Sequence, residues 1–182
     1  VAYINNLYPS YATGLTDVNI YKKYVEDYCK NVLSQVDGEK WLSVDTYPVK
    51  EDYSLDSSFL FDLGVIKTYS LQYGAKSHAA LQSSGFSGKE RIPTEDEMRM
   101  QAYAALAFGF DSLSWFSYSP SASSSETFYT FVDNNGNVTD QTAYDAFSAV
   151  NNELATIAPI YSAFDWKGII LGIGNSTYKN PD

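Results

Sequence analysis

The fold is decided by the stretch Trp41–Pro48 (WLSVDTYP), a short apolar run that ends in polar and aromatic residues. Three further stretches have the same form, which is typical of short β-strands: residues 3–9 (YINNLYP), 79–85 (AALQSSG) and 112–118 (SLSWFSY). Counted from Pro9 to Pro48, Gln82 and Trp115, the steps are 39, 34 and 33 residues. This period predicts a series of βα units.

Helical patterns fill the segments between these strands. The clearest begins at Thr94, which forms a capping box with Glu97. The acidic run Glu95–Glu97 then meets the positive end of the helix dipole, so we interpret it as a helix start and not as a catalytic acidic cluster. The predicted helices cover about residues 17–36, 57–73, 94–108 and 142–163.

Together these elements predict an α/β fold of parallel βα repeats. The strands should begin near Tyr3, Trp41, His78 and Ser112 and lie in sequential order, with the helices outside. In the first helix we expect an apolar face built on a row with a spacing of four residues. That row is Ile20, Tyr24, Tyr28 and Val32, with Val25, Cys29 and Leu33 beside it.

The composition is that of a globular protein. Of 182 residues, 45% are hydrophobic and 19% are charged. The net charge of -10 repels phosphate backbones, so we expect no nucleic-acid partner. No run is long and apolar enough to predict a membrane span. The aromatic fraction of 16% favours carbohydrate, because rings in sugar-binding clefts stack on the apolar faces of pyranoses.

The reactive side chains are few. Cys29 is the sole cysteine, so an internal disulfide is excluded, and its place in a helical pattern favours a buried thiol. His78 is the sole histidine, so no His/Cys metal cluster is predicted. We therefore expect neither a bound metal nor a cofactor.

The chain opens in a strand pattern without an initial methionine, which suggests a piece of a longer protein. We assign residues 1–164 to half of a (β/α)8 barrel and residues 165–182 to the start of a following β segment. Its strand, 166–173, should lack a partner. Because a half barrel exposes two sheet edges and apolar inner faces, we expect self-association or pairing with an N-terminal half. An extracytoplasmic or secreted location is favoured.

The order of these stretches resembles the second half, strands five to eight, of a TIM (β/α)8 barrel in the clan of the family 42 β-galactosidases. The most specific match is Ser43–Pro48 (SVDTYP), which is similar to a Ser-x-Asp-x-Tyr-Pro phrase of family 42 at strand six. Residues 5–9, 81–82 and 115–118 match at strands five, seven and eight, and residues 102–111 resemble the helix that leads into strand eight.

The resemblance implies a glycoside hydrolase, with one departure. In that clan a Glu at the end of strand seven is the nucleophile, and a Glu at the end of strand four is the acid/base. Here Gln82 stands at the strand-seven position. An amide cannot form the glycosyl ester of a retaining mechanism, although it can orient a water or bind a sugar hydroxyl. The acid/base would lie on the N-terminal half.

Side chains at the carboxyl ends of the strands are the candidate site, because barrel enzymes keep their chemistry there. We expect Asp45 to take part in proton transfer or to bind sugar hydroxyls. Asn6 is preferred to Asn5 because it shares a strand face with Tyr8. The predicted sugar-binding residues are Asn6, Tyr8, Tyr47, Gln82, Trp115 and Tyr118.

Three functional hypotheses follow. The first is part of a glycoside hydrolase that cleaves O-glycosidic bonds. The second is a non-catalytic carbohydrate-binding protein on a decayed hydrolase barrel, with Gln82 marking the lost nucleophile. The third is a structural or interaction module of the same fold.

Overall fold

The computed structural model describes residues 6–120, 128–170 and 177–179. The predicted strand start at Tyr3 and the last residues of the predicted strand 166–173 lie outside the described residues. The strands are β1 (Asn6–Leu7), β2 (Trp41–Asp45), β3 (Lys76–Gln82), β4 (Gly85–Phe86), β5 (Ser112–Phe116), β6 (Phe128–Tyr129), β7 (Gly168–Ile170) and β8 (Thr177–Lys179). The helices are α1 (Val18–Asn31), α2 (Phe59–Gln72), α3 (Glu95–Ala107) and α4 (Gln141–Tyr161), with a 3-10 turn at Leu33–Gln35.

The main sheet contains four parallel strands in the order β1-β2-β3-β5. Its register aligns Asn6, Ser43, His78 and Ser112 across the strands. Since each of these strands pairs with the next one along the chain, the crossovers share one sense and the helices lie on one face. The predicted fold of parallel βα repeats is confirmed.

The sheet has two unlike faces because side chains alternate along each strand. The face toward the helices is apolar and enters the core. It carries Leu7, Leu42, Val44, Ala79, Leu81, Leu113 and Trp115. The opposite face, called the inner face below, carries Asn6, Ser43, Asp45, His78, Gln82, Ser112, Ser114 and Phe116. The expectation of an apolar inner face was therefore wrong, because most inner-face positions are polar, with Trp41, Ala80 and Phe116 as the exceptions.

Local signals set the helix starts. Asp17 caps α1 by accepting the backbone N–H groups of Asn19 and Ile20. The capping box of Thr94 and Glu97 at the start of α3 is present as predicted. No helix in the described part of the chain combines the length and the apolar character needed to cross a membrane.

The apolar row of α1 differs from the prediction. Tyr21, Val25 and Cys29 are buried, whereas Ile20 and Val32 are 52% and 48% exposed. The predicted row and the row of Tyr21, Val25, Cys29 and Leu33 have the same four-residue spacing. Packing against the sheet and α2 buries the second row. Cys29 is buried as expected, and burial raises the pKa of its thiol to about 11.

The segment after α4 docks at the end of α3. The Trp166 indole N–H donates to the Ala107 carbonyl at 2.8 Å. Gly109 has a φ of +78°, and a Cβ atom on it would lie 2.4 Å from the Trp166 ring. The following strand was expected to lack a partner, but β7 pairs antiparallel with β8.

A small antiparallel pair, β4 with β6, was not predicted. Each strand has two residues, which is too short for a period-two pattern to be read. The pair brings Phe86 opposite Phe128. It therefore places two aromatic rings beside the carboxyl ends of the main strands.

Candidate functional site

The carboxyl ends of the parallel strands meet at one edge of the sheet. Asp45 ends β2, Gln82 ends β3 and Phe116 ends β5. The register pairs Asp45 with Ala80, and Gln82 with Phe116, so all of these side chains leave the inner face. This edge is where barrel enzymes place their active sites.

Four rings cluster at this edge, and we call Tyr47, Phe86, Phe116 and Phe128 the aromatic platform. Three of them are nearly parallel, with interplanar angles of 3° to 22°. The centroids of these three stand 5.6, 6.2 and 6.3 Å apart. A column of parallel rings would place the outer two at about twice the spacing of neighbours, so these three rings form a compact cluster and not a column.

The fourth ring, Phe128, packs against two of these three rings. Phe128 is tilted by 46° and lies 5.0 Å from Phe86 and 5.5 Å from Phe116, measured between centroids. Phe116 is 38% exposed. An apolar surface made of flat rings is suited to the apolar face of a pyranose, while polar groups at its margin meet the hydroxyls.

Asp45 is the polar group at that margin. Its Oδ1 accepts a hydrogen bond from the Tyr47 hydroxyl. Burial raises the pKa of the Asp45 carboxyl, and the Tyr47 hydrogen bond partly opposes this rise. Among the described residues no Lys or Arg forms an ion pair with Asp45. A half-buried carboxyl with a raised pKa is suited to holding or moving a proton.

Gln82 has a different role from the one predicted. Its side chain is fully buried. Its Oε1 accepts the Val49 N–H at 2.8 Å, and its Nε2 donates to the carbonyls of Val49 and Arg91 at 3.0 and 2.9 Å. The Gln82 amide therefore connects the loops that follow β2 and β3, and this geometry does not support the predicted contact with sugar.

Trp115 and Tyr118 lie apart from Asp45. Trp115 is on the helix-facing side of β5, where its indole N–H donates to Asn151 Oδ1 at 3.1 Å. Both rings pack on Phe147 of α4. The correction follows from strand alternation, since Phe116 is the inner-face aromatic of β5 and Trp115 is not.

Asn6 and Tyr8 occupy the β1 end of the inner face. Asn6 Oδ1 accepts from the Ser43 hydroxyl at 2.5 Å, and Ser43 Oγ lies 2.6 Å from His78 Nδ1. Burial lowers the pKa of His78, so its imidazole stays neutral near pH 7. Tyr8 is 69% exposed, and its side chain extends toward solvent. Sugar binding by Asn6 and Tyr8 stays a prediction.

Sequence reasoning missed Phe86, Phe116 and Phe128. The alternation of β5 puts Trp115 and Phe116 on opposite faces of the strand, so the sequence offered either ring as the inner-face residue. The register shows that it is Phe116, which pairs with Gln82. Phe86 and Phe128 gave no signal, since they meet through a tertiary pairing of two-residue strands.

Clefts also lie elsewhere in the described part of the chain. One of about 380 Å³ lies between β5, α3 and α4, and one of about 850 Å³ lies near Trp166 at the amino ends of the strands. Neither contains Asp45. We place the candidate site at the carboxyl edge, because the other end of such a barrel serves stability.

Comparison with models of known protein families gives a match over most of the chain. Residues 16–157 of the 182 match the family model for glycoside hydrolase family 42, described as beta-galactosidase. The matched range includes Asp45 and all four rings of the aromatic platform. No curated protein matches the chain.

Proposed function

The chain belongs to glycoside hydrolase family 42, and from that premise we propose that the protein binds carbohydrate at the carboxyl edge of its sheet and takes part in hydrolysing an O-glycosidic bond. The parallel sheet with its helices is then part of a TIM-barrel-like hydrolase domain. The observation that carries the proposal is the aromatic platform with Asp45 at its margin.

The proposed chemistry uses two carboxyl groups, as glycoside hydrolysis generally does. Asp45 is the sole carboxylate among the described inner-face residues of the main strands. A closed barrel of this type needs eight strands, and the described sheet has four. We therefore place the second carboxyl group on other strands of the barrel, with Asp45 moving a proton or binding hydroxyls.

The test compares Phe116→Ala with the control Phe164→Ala. Both remove an exposed ring, but Phe164 follows α4 and lies outside the platform. With aryl β-galactosides as substrates, we expect Phe116→Ala to lower kcat/KM by about tenfold, the scale of one lost aromatic contact. Equal activity of the two variants would rule out the platform as the sugar surface.

A second candidate function is sugar binding without hydrolysis, and the state of Gln82 favours it. An amide held by four backbone hydrogen bonds cannot replace a nucleophilic carboxylate. Calorimetric titration with a β-galactoside separates the two candidates. Binding with no turnover supports the binding protein, and turnover supports the hydrolase.

A further inference from the structure

Lys50 is a half-buried cation near the aromatic platform. Its side chain is 22% exposed. Its Nζ donates to the Tyr47 carbonyl at 3.0 Å and to Glu90 Oε1 at 3.2 Å. The same ammonium group lies 3.6 Å from Asp56 Oδ2 and 4.3 Å from the centroid of the Tyr11 ring. One ammonium group thus contacts a carbonyl, two carboxylates and an aromatic face.

These partners belong to three different loops. Tyr11 lies between β1 and α1, Asp56 between β2 and α2, and Glu90 between β3 and α3. Main-chain contacts strengthen the connection between the second and third loops, since Lys50 and Glu90 form a β-bridge and the Glu51 N–H donates to the Lys89 carbonyl at 3.0 Å. Lys50 therefore joins the loops that surround the carboxyl edge of the sheet.

Tyr47 is held on both sides of its backbone by this arrangement. Its N–H donates to the Tyr11 hydroxyl at 3.1 Å, and its carbonyl accepts from Lys50. Tyr11 in turn lies under the Lys50 ammonium group. The Tyr47 ring belongs to the platform and its hydroxyl binds Asp45. A shift of the Tyr47 backbone would move both the ring and the hydrogen bond to Asp45.

We propose that Lys50 is a positioning residue for sugar binding, which fixes Tyr47 and, through it, the Asp45 carboxyl group and the aromatic platform. The proposal rests on the proposed function for its sugar readout. Lysine suits this position because its three donors surround a compact charge and can reach a carbonyl and two carboxylates at once. Its partial burial lets the charge act with little screening by solvent.

The first experiment measures the affinity for phenyl thio-β-galactoside by calorimetry in the full protein. Lys50→Met keeps an unbranched side chain of nearly the same length and removes the charge, and we expect about a tenfold loss of affinity. Lys50→Arg restores the charge and should recover part of that loss. The matched control is Lys23→Met, because Lys23 is 71% exposed and pairs with Asp27 on the same helix, α1. Wild-type affinity in Lys50→Met would overturn the proposal.

A double-mutant cycle separates positioning from general stability. Tyr47→Phe removes the hydroxyl that binds Asp45. If Lys50 acts through Tyr47, adding Lys50→Met to Tyr47→Phe should cost clearly less affinity than Lys50→Met costs alone. Strictly additive losses would contradict the proposal, because a purely structural defect acts independently of the Tyr47 hydroxyl.

Amide hydrogen exchange gives a readout that does not depend on sugar. In Lys50→Met we expect faster exchange in residues 45–50 and 86–91, with unchanged exchange in α2. If the wild type binds no sugar, the proposed function fails, and unchanged exchange would then also reject the role of Lys50. Should Lys50→Met fail to fold, Glu90→Gln removes one ionic partner of Lys50 and should give the same pattern more weakly.

Discussion

Asp45 and Tyr47 are two residues apart, and their side chains meet on the inner face. This spacing matches the period of an extended strand, so the two groups act as one unit. The Tyr47 hydroxyl donates to the carboxylate, which stabilises its charged form, while burial favours the neutral form. The balance between these effects sets how readily Asp45 exchanges a proton.

Asp45→Asn should therefore lower turnover of aryl glycosides by about 10²-fold or more, the usual scale for the loss of one acid/base group. The asparagine keeps the shape and the acceptor for Tyr47 but cannot carry the proton. Asp37→Asn is the control, since Asp37 is exposed and precedes β2 at the opposite end of the sheet. Unchanged kcat in Asp45→Asn would remove Asp45 from the reaction.

A second buried carboxyl group, Asp62, holds two loops together. It accepts the Ser10 N–H at 3.2 Å and the Thr46 hydroxyl at 3.3 Å. Burial raises the pKa of the Asp62 carboxyl from 3.8 to about 6. The folded protein therefore keeps this proton in a pH range where the unfolded chain has released it.

Stability should fall as the pH rises from about 4 to about 6, because ionising Asp62 inside the fold costs about 3 kcal/mol. Asp62→Asn cannot ionise and should lose this part of the pH dependence. The measurement is the free energy of unfolding in urea at about pH 4 and about pH 7 for both proteins. The same change with pH in wild type and variant would show that Asp62 does not titrate in this window.

Among the elements, the start of α3 is the best defined by sequence. Thr94 Oγ1 accepts the Glu97 N–H, Glu97 returns a bond to the Thr94 N–H, and Arg91 pairs with Glu97 at 2.5 Å. The cap joins the helix to the loop that follows β3. It thereby fixes one side of the site.

Thr94→Ala should destabilise the protein by about 1 kcal/mol, the typical cost of a lost N-cap. Thr142→Ala is the matched control, because Thr142 is exposed in the first turn of α4, whose cap is Asp140. Urea unfolding of both variants at one pH gives the comparison. Equal stabilities would show that the capping box contributes nothing measurable.

The contrast between α3 and the aromatic platform shows what sequence could predict. Caps and strand periods are local, so Thr94 and the positions of the main strands could be recognised in advance. It is harder to predict which face of the sheet a residue occupies. Trp115 was the predicted sugar-binding residue of β5, but Phe116 is the aromatic residue on the inner face. Phe86 and Phe128 meet only after the chain has folded, so no local pattern contains them.

At the scale of the whole molecule, β1 and β5 stand at the two ends of the sheet order. Each has one side without a strand neighbour in the described sheet. Unpaired N–H and C=O groups on such edges favour pairing with another chain. Because the inner face is mostly polar, the expected association with another chain depends mainly on these two edges.

We predict that the 182-residue chain associates, either with a second copy or with the remaining part of the barrel. Multi-angle light scattering should give a mass above the 20.3 kDa of one chain, which decreases on dilution. A concentration-independent mass of one chain would contradict the prediction.

The docking of Trp166 on Gly109 limits how this position can vary in evolution. A side chain at residue 109 is opposed twice, by the backbone φ of +78° and by the indole ring that occupies the Cβ position. Relatives that anchor the segment after α4 in this way should therefore keep glycine and tryptophan together. Relatives that have lost the tryptophan should tolerate asparagine at the glycine position, because asparagine accepts a positive φ once the ring is absent. Homologues that have both glycine and tryptophan at these positions should therefore be the ones in which the segment after α4 is attached to α3.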